Sequence, residues 1–202
     1  MKISRIVMFA SLAVMTSLAQ AAVFSDNFNS YGGAVPWITP TGGWSYVGTG
    51  NVDLVANNSY GISISNADGL FVDLNGTPGT PTFQNTVSGL TLGQTYNLTF
   101  DLAGNNRNDS INNDTVAVTF GTSSQNFSSG NWNSIFTPNS LSFTATGTSA
   151  IISFTDNGGV GSNIGTLLDN VSVTAVPEPE TYALLLAGLC LVGFTSRKSK
   201  QS

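Results

Sequence analysis

The sequence predicts an all-β protein, an antiparallel two-sheet sandwich of the jelly-roll kind, and three observations carry that expectation. Short apolar runs alternate residue by residue with polar ones. Gly, Ser, Thr and Asn fill the gaps between those runs, and no 3.6-residue hydrophobic periodicity is sustained anywhere from residue 22 to residue 174.

Residues 95–103 show the alternation best. Tyr96, Leu98, Phe100 and Leu102 interleave with Thr95, Asn97, Thr99 and Asp101, which predicts one buried and one solvated face. Residues 114–120 repeat the pattern with Val116, Val118 and Phe120 directed inward, and the pairs Leu141/Phe143, Ile152/Phe154 and Val171/Val173 extend it. Weaker strand candidates cover 52–55, 70–74, 82–87 and 125–127, separated by turn formers such as Asn75-Gly76, Pro78-Gly79 and Leu92-Gly93. About eight or nine strands in a segment of ~150 residues suit two sheets packed face to face. A repeat of fixed period is absent, which argues against a solenoid or propeller.

The two ends carry a different signature. Lys2 and Arg5 precede a mostly apolar stretch over 6–18 and the small residues of Ala19-Gln20-Ala21, so residues 1–21 read as a signal peptide removed by signal peptidase, leaving a β-sandwich domain over 22–175. Beyond it, Pro177 and Pro179 bracket Glu178, and each proline disfavours helix in the residue before it, so the segment is extended. An apolar run follows over 182–194, then Arg197, Lys198 and Lys200 in the basic tail 197–200. A helix over 181–196 would be about 24 Å long at ~1.5 Å per residue. Basic side chains that snorkel close the gap to a ~30 Å hydrocarbon core and keep that end cytoplasmic. A transmembrane helix is the expectation; a buried helix is the competing reading for so short a run.

Val176-Pro177-Glu178-Pro179-Glu180-Thr181, the apolar stretch containing Gly188 and the basic end together resemble the PEP-CTERM sorting signal, over 176–200 with its motif at 176–181. The same signal also goes under the label of an ice-binding protein C-terminal domain. The resemblance implies a Gram-negative, exopolysaccharide-producing source. It also implies an exosortase-type transpeptidase that recognises Val176, Pro177, Glu178 and Pro179, cleaves there, and passes an inner-membrane-anchored intermediate to the cell surface or the medium.

Charge and composition exclude much. Between the terminal signals lie nine aspartates and one cation, Arg107, a formal charge of −8. Nucleic acid is excluded as a partner, since phosphate binding needs clustered Lys and Arg. The chain has no histidine, and its one cysteine, Cys190, sits in the apolar tail. Disulfides, thiol catalysis, Cys/His zinc sites and Ser-His-Asp triads are thereby removed. Aspartate-based glycoside hydrolysis is the one catalytic option left, and no pair of carboxylates is singled out by spacing for it. A non-catalytic protein is expected.

A second resemblance covers residues 24–174. Gly69-Leu-Phe-Val-Asp-Leu-Asn-Gly76, Phe83-Gln-Asn-Thr-Val87, Leu92-Gly-Gln-Thr-Tyr-Asn-Leu-Thr-Phe-Asp-Leu-Ala-Gly104 and Leu168-Asp-Asn-Val-Ser-Val173 are similar to the choice-of-anchor C family. That family resembles the DUF642 and galactose-binding-like jelly rolls of carbohydrate-binding modules.

Two kinds of site residue stand out. Asp169 lies in phase with Leu167, Val171 and Val173, so strict alternation sends a carboxylate toward the apolar face. The galactose-binding-like resemblance implies a structural calcium ion there, shared with Asp26 and Asp73; the alternative is a turn cap through backbone N–H groups. The oxygen-rich stretch 105–114 reads either as a second ion loop or as a solvated excursion. Trp44 and Trp132, set among polar residues and glycines, are the candidate sugar-stacking platforms, against the alternative that they belong to the core. These features predict an exported surface or extracellular-matrix protein that binds exopolysaccharide. A purely structural matrix protein and an aspartate-based hydrolase are the competing readings.

Overall fold

The computed structural model describes residues 21–34, 42–76, 79–107, 115–129, 135–158, 163–178, 185–190 and 192. Eleven strands form two antiparallel sheets. The first sheet runs β3 (Asp53–Ala56), β4 (Leu70–Asp73), β11 (Leu167–Ala175), β6 (Thr95–Ala103) and β9 (Thr137–Thr144), with β1 (Ala22–Asp26) also paired to β11. The second runs β2 (Trp44–Val47), β5 (Thr82–Ser88), β10 (Ser149–Asp156), β7 (Thr115–Phe120) and β8 (Ser123–Ser128).

The sandwich forms because alternate residues of both sheets are apolar. Tyr96, Leu98, Phe100 and Leu102 of β6 meet Val116, Val118 and Phe120 of β7 and Ile152 and Phe154 of β10 in one core cluster. At one end of that core Trp44 stacks on Phe83, with ring centroids 4.3 Å apart and planes 5° from parallel, and Phe28 and Phe154 pack around the pair. A smaller cluster of Val55, Ile62, Ile64, Phe71, Ala103, Phe136 and Leu167 covers the outer side of the six-stranded sheet. The β7–β8 hairpin turns through Gly121 at φ 57, and a Cβ there would stand 2.3 Å from the Phe143 ring. Only glycine fits both demands.

Two strands, β1 and β2, are not among those the sequence pattern predicts. Both are short and border Gly- and Asn-rich turns, so neither shows enough alternation to be read. Nevertheless β2 pairs with β5 in register Trp44↔Asn85 to Val47↔Thr82.

Among the described residues, all eleven strands and both apolar clusters fall within 22–175. The expected signal peptide lies outside the described residues but for Ala21, as do Pro179 and the basic tail. Of the expected transmembrane segment, residues 185–190 are helical, and among the described residues no helix is long and apolar enough to cross a membrane.

Candidate functional site

The local event that builds the site is a bulge in β11. Asn170 takes φ 51, and the pairing of β11 with β6 slips between Asp169 and Ser172. Before the bulge Leu168 points between the sheets and Leu167 joins the outer cluster; after it Val171 and Val173 return to the inner core. The expectation that Asp169 points into the sandwich is thereby corrected. The inserted residue reverses the phase, and Asp169 pairs with Asp101 on the outer side.

On its other edge β11 is shared. Residues 167–168 pair with β4, while residues 171–174 pair with β1. Between these two partners the 3₁₀ turn Asn29–Tyr31 bridges the gap, with the Asn29 side chain accepting the Leu70 N–H (2.6 Å) and donating to the Asp68 carbonyl (3.2 Å). Ser25, Asp26, Asn27, Ser30, Asn170, Val171 and Ser172 then enclose an open pocket of about 430 Å³. Six of those seven side chains are hydroxyl, amide or carboxylate.

Asp26 is held rigidly at this pocket. One carboxylate oxygen accepts the Phe28 N–H (2.8 Å), and the other accepts the Tyr31 hydroxyl (2.7 Å) and the Trp44 indole N–H (2.9 Å). Of about four acceptor directions on a carboxylate, three are used. Asn170 donates from its side chain to Asp101 (2.9 Å), and the Asp169 carboxylate accepts only the Asn170 N–H (2.7 Å) among the hydrogen bonds at this site. Burial pushes Asp169 up to about 7, against that N–H and with the help of the negative charges of Asp101, Asp68 and Asp26.

The predicted site residues separate. Trp44 is 4% exposed and belongs to the core, so both its faces are covered and it offers no platform to a sugar; what reaches the pocket is its indole N–H, through Asp26. Trp132 lies outside the described residues. Asp73 is engaged elsewhere, accepting the N–H groups of Asn75 (3.1 Å) and Gly165 (2.8 Å) and the Asn105 amide (2.9 Å), with Arg107 at 3.6 Å. Burial pushes Asp73 up to about 8, against the pull of the Asn75 N–H, Arg107 and the Gly165 N–H. The structure thus separates Asp73 from Asp26 and Asp169 rather than gathering the three side chains. Both oxygens of Asp26 and of Asp73 are already taken by N–H or O–H donors, and no group of three metal-ligating side chains occurs among the described residues. Of 105–114, Asn105, Asn106 and Arg107 are described, and Asn106 binds the Ser63 backbone through both its amide atoms.

Asp73 instead acts as one half of a clasp. It holds the Gly165 N–H from the six-stranded sheet, while Asp156 of β10 holds the next one, the Thr166 N–H (2.6 Å), from the five-stranded sheet. Burial raises Asp156 as well, opposed by the N–H groups of Thr166 and Gly158. A Cβ on Gly165 would lie 2.3 Å from the Asn75 nitrogen and 2.6 Å from the Asp73 carboxylate, so the clasp requires glycine.

At the C-terminal edge, the Val176 N–H donates to the Thr95 carbonyl (2.8 Å), and the Gln94 side chain donates to the Val176 carbonyl (2.5 Å). Pro177 follows at once and Glu178 is exposed. The PEP-CTERM protein-sorting motif matches residues 175–200, so the chain carries a sorting signal that marks export, surface association and processing by an exosortase.

No curated protein matches the sequence. Among solved structures, the CBM22-1 xylan-binding domain of Paenibacillus barcinonensis Xyn10C aligns with a TM-score of 0.52 at 13% identity, covering 81% of this chain and 99% of its own. TmCBM61 in complex with beta-1,4-galactotriose gives a TM-score of 0.49 at 14% identity over 67% and 90%. A family 35 carbohydrate binding module from Clostridium thermocellum gives 0.44 at 19% over 66% and 92%. At such identities the likeness is one of fold alone, two antiparallel sheets packed as a jelly-roll sandwich.

Proposed function

We propose that the protein is an exported, exosortase-processed surface or matrix component whose sandwich binds carbohydrate without catalysis, and that a neutral glycan occupies the pocket at the β11 bulge. The observation that carries this reading is the lining of the pocket, where Ser25, Asn27, Ser30, Asn170 and Ser172 offer short, neutral donors and acceptors around the fixed Asp26 carboxylate. Sugar hydroxyls need such paired donors and acceptors, and the volume lies within the ~300–1,000 Å³ of small-ligand sites. The negative charge of Asp26 and Asp101 disfavours anionic polysaccharide. Catalysis gains no support, because Asp26 has three donors on its oxygens and is poorly placed to attack or to exchange a proton.

The fold and the sorting signal support the same reading. A carbohydrate-binding-module sandwich delivered to the surface by an exosortase meets extracellular polysaccharide there. Titrating residues 22–176 with a panel of neutral oligosaccharides tests it. Asn170→Gly keeps the positive φ while removing the amide, and Ser172→Ala removes a hydroxyl. Each should weaken binding roughly tenfold with the fold intact. Absence of binding across the panel refutes the proposal, as does reducing-end release by the wild type.

A further inference from the structure

The two outer faces of the sandwich differ in kind. Asp26, Asp53, Asp73, Asp101 and Asp169 all lie on strands of the six-stranded sheet, whereas Asp156 is the one charged residue on the strands of the five-stranded sheet and is buried on its inner side. The outward face of the five-stranded sheet therefore bears no charge among the described residues. Pairing in register sets two rows across all five strands. One reads Ser45, Gln84, Ser153, Thr119 and Ser124. The other reads Val47, Thr82, Thr155, Ala117 and Asn126. Hydroxyls bond along these rows, Thr82 to Thr155 at 2.8 Å and Thr119 to Ser153 at 2.6 Å, so these side chains bond one another across the strands. Beside the rows Ile151 is 47% exposed and Val47 57%.

We propose that this face is a homophilic contact surface, and that a second copy of the chain seats on it sheet to sheet. Open sheet edges are commonly guarded with charge, particularly lysine, and β2 and β8, the edge strands of this sheet, carry none among the described residues. With a formal charge of −8 in the exported segment, two copies brought together through their six-stranded sheets would set aspartate against aspartate. Through their five-stranded sheets they set neutral hydroxyls and methyl groups against each other, with the aspartates of the six-stranded sheet a full sandwich thickness away, about 10 Å and beyond the Debye length of ~8 Å at physiological salt.

The available area sets the strength. Five strands at ~4.8 Å and about six residues at ~3.3 Å give roughly 500 Å² per copy, or about 1,000 Å² for the pair. That falls below the ~1,600 Å² of a standard stable interface and in the range of transient contacts. Single pairs are weak, and copies crowded at a cell surface or in a matrix bind through many of them.

The test is sedimentation velocity of residues 22–176, which hold all eleven strands and both apolar clusters of the described residues, over a hundredfold range of concentration. The expected result is a weight-average sedimentation coefficient that rises with concentration, and rises further in high salt as the net-charge repulsion is screened. Ile151→Asp should abolish the rise while leaving the circular dichroism spectrum unchanged. Since this segment lacks cysteine, Thr86→Cys gives a second readout. It should form a disulfide dimer under mild oxidation at least tenfold faster than Ser142→Cys on the six-stranded sheet. A monomer at all concentrations, equal cross-linking at the two sites, or retention of the face on an insoluble polysaccharide with Ile151→Asp abolishing it would each overturn the proposal. None of these outcomes depends on whether the β11 pocket binds sugar.

Discussion

Replacing Asp73 by asparagine isolates the electrostatics of the inter-sheet clasp. Asp73 is 1% exposed, and burial lifts its pKa from 3.8 to about 8 even though the Asn75 N–H, Arg107 and the Gly165 N–H oppose the rise. The folded chain therefore keeps a proton that the unfolded chain releases. The contribution of Asp73 to stability is complete below the unfolded value near pH 4 and is lost as pH rises through about 8. Each pH unit between those two values corresponds to about 1.4 kcal/mol, so between pH 4 and pH 7 the wild type should lose up to ~4 kcal/mol from this group. An asparagine side chain cannot ionise. The Asp73→Asn variant presents an NH₂ to Asn105 and Arg107 in place of an acceptor, which leaves it about 1–2 kcal/mol less stable than wild type at pH 4.5. The gap should close and then invert as pH rises. Urea unfolding of both proteins at half-unit steps from pH 4.5 to 7.5, with the slopes m required to agree, measures the difference directly. A wild-type advantage that stays constant or grows with pH would show the carboxylate ionised beside Arg107, and the reasoning from burial would fail.

Other substitutions probe other parts of the molecule. Trp44→Ala removes the ring stacked on Phe83 and strips one donor from Asp26, so a loss of about 3–5 kcal/mol in urea unfolding is expected, whereas a surface sugar platform would show almost none. Gly165→Ala forces a Cβ against the Asn75 backbone and the Asp73 carboxylate; thermal melting should show it destabilised by more than about 2 kcal/mol, against a few tenths at Gly147, where φ is not positive and a Cβ would meet only the Ser149 carbonyl at 3.9 Å. Gln94→Ala frees the Val176 carbonyl, so hydrogen exchange of the Val176 N–H, bonded to the Thr95 carbonyl, should speed up several-fold in the full chain while the amides of the central strands keep their protection.

How much of the structure is legible in the sequence depends on period. In β6 and β7, apolar and polar residues alternate without a break, so both strands can be read to within a residue, and with them the two-layer architecture. The same rule applied to β11 gives the wrong face for Asp169, because a bulge inserts one residue and nothing in Leu-Asp-Asn-Val fixes where the phase turns over. An asparagine beside an aspartate in a strand is the available hint, since asparagine tolerates a positive φ. Trp44 misleads for a related reason. Its neighbours in sequence are glycines, serine and tyrosine, but its neighbours in space are Phe24, Phe28, Phe83 and Phe154, brought in by a strand too short to announce itself. Ser25, Asn27, Ser30 and Ser172 give no signal because singly they look like ordinary loop and strand-face residues; only the junction of β1, β4 and β11 gathers them.

That junction explains why a single asparagine conformation carries so much of the molecule. If β11 ran without a bulge, Asp169 would share the face of Val171 and Val173 and point into the apolar interior while Leu168 pointed out of it, and burial of a carboxylate among Leu98, Phe100 and Val173 would cost about several kcal/mol. By inserting Asn170 the strand keeps Leu168, Val171 and Val173 all inside and sends Asp169 outward to Asp101. The same insertion bends the edge of β11 at the point where its partner changes from β4 to β1, and a strand that bends there cannot be followed by one continuous neighbour. The gap left over is the pocket. Its polar lining then follows, because residues at a strand end and in a 3₁₀ turn must bond their own backbone and so are serines, asparagines and an aspartate. A requirement of core packing thus opens a polar-lined recess on the acidic side of the sandwich, and leaves the pairing of β10 with β5 and β7 in the opposite sheet unbroken.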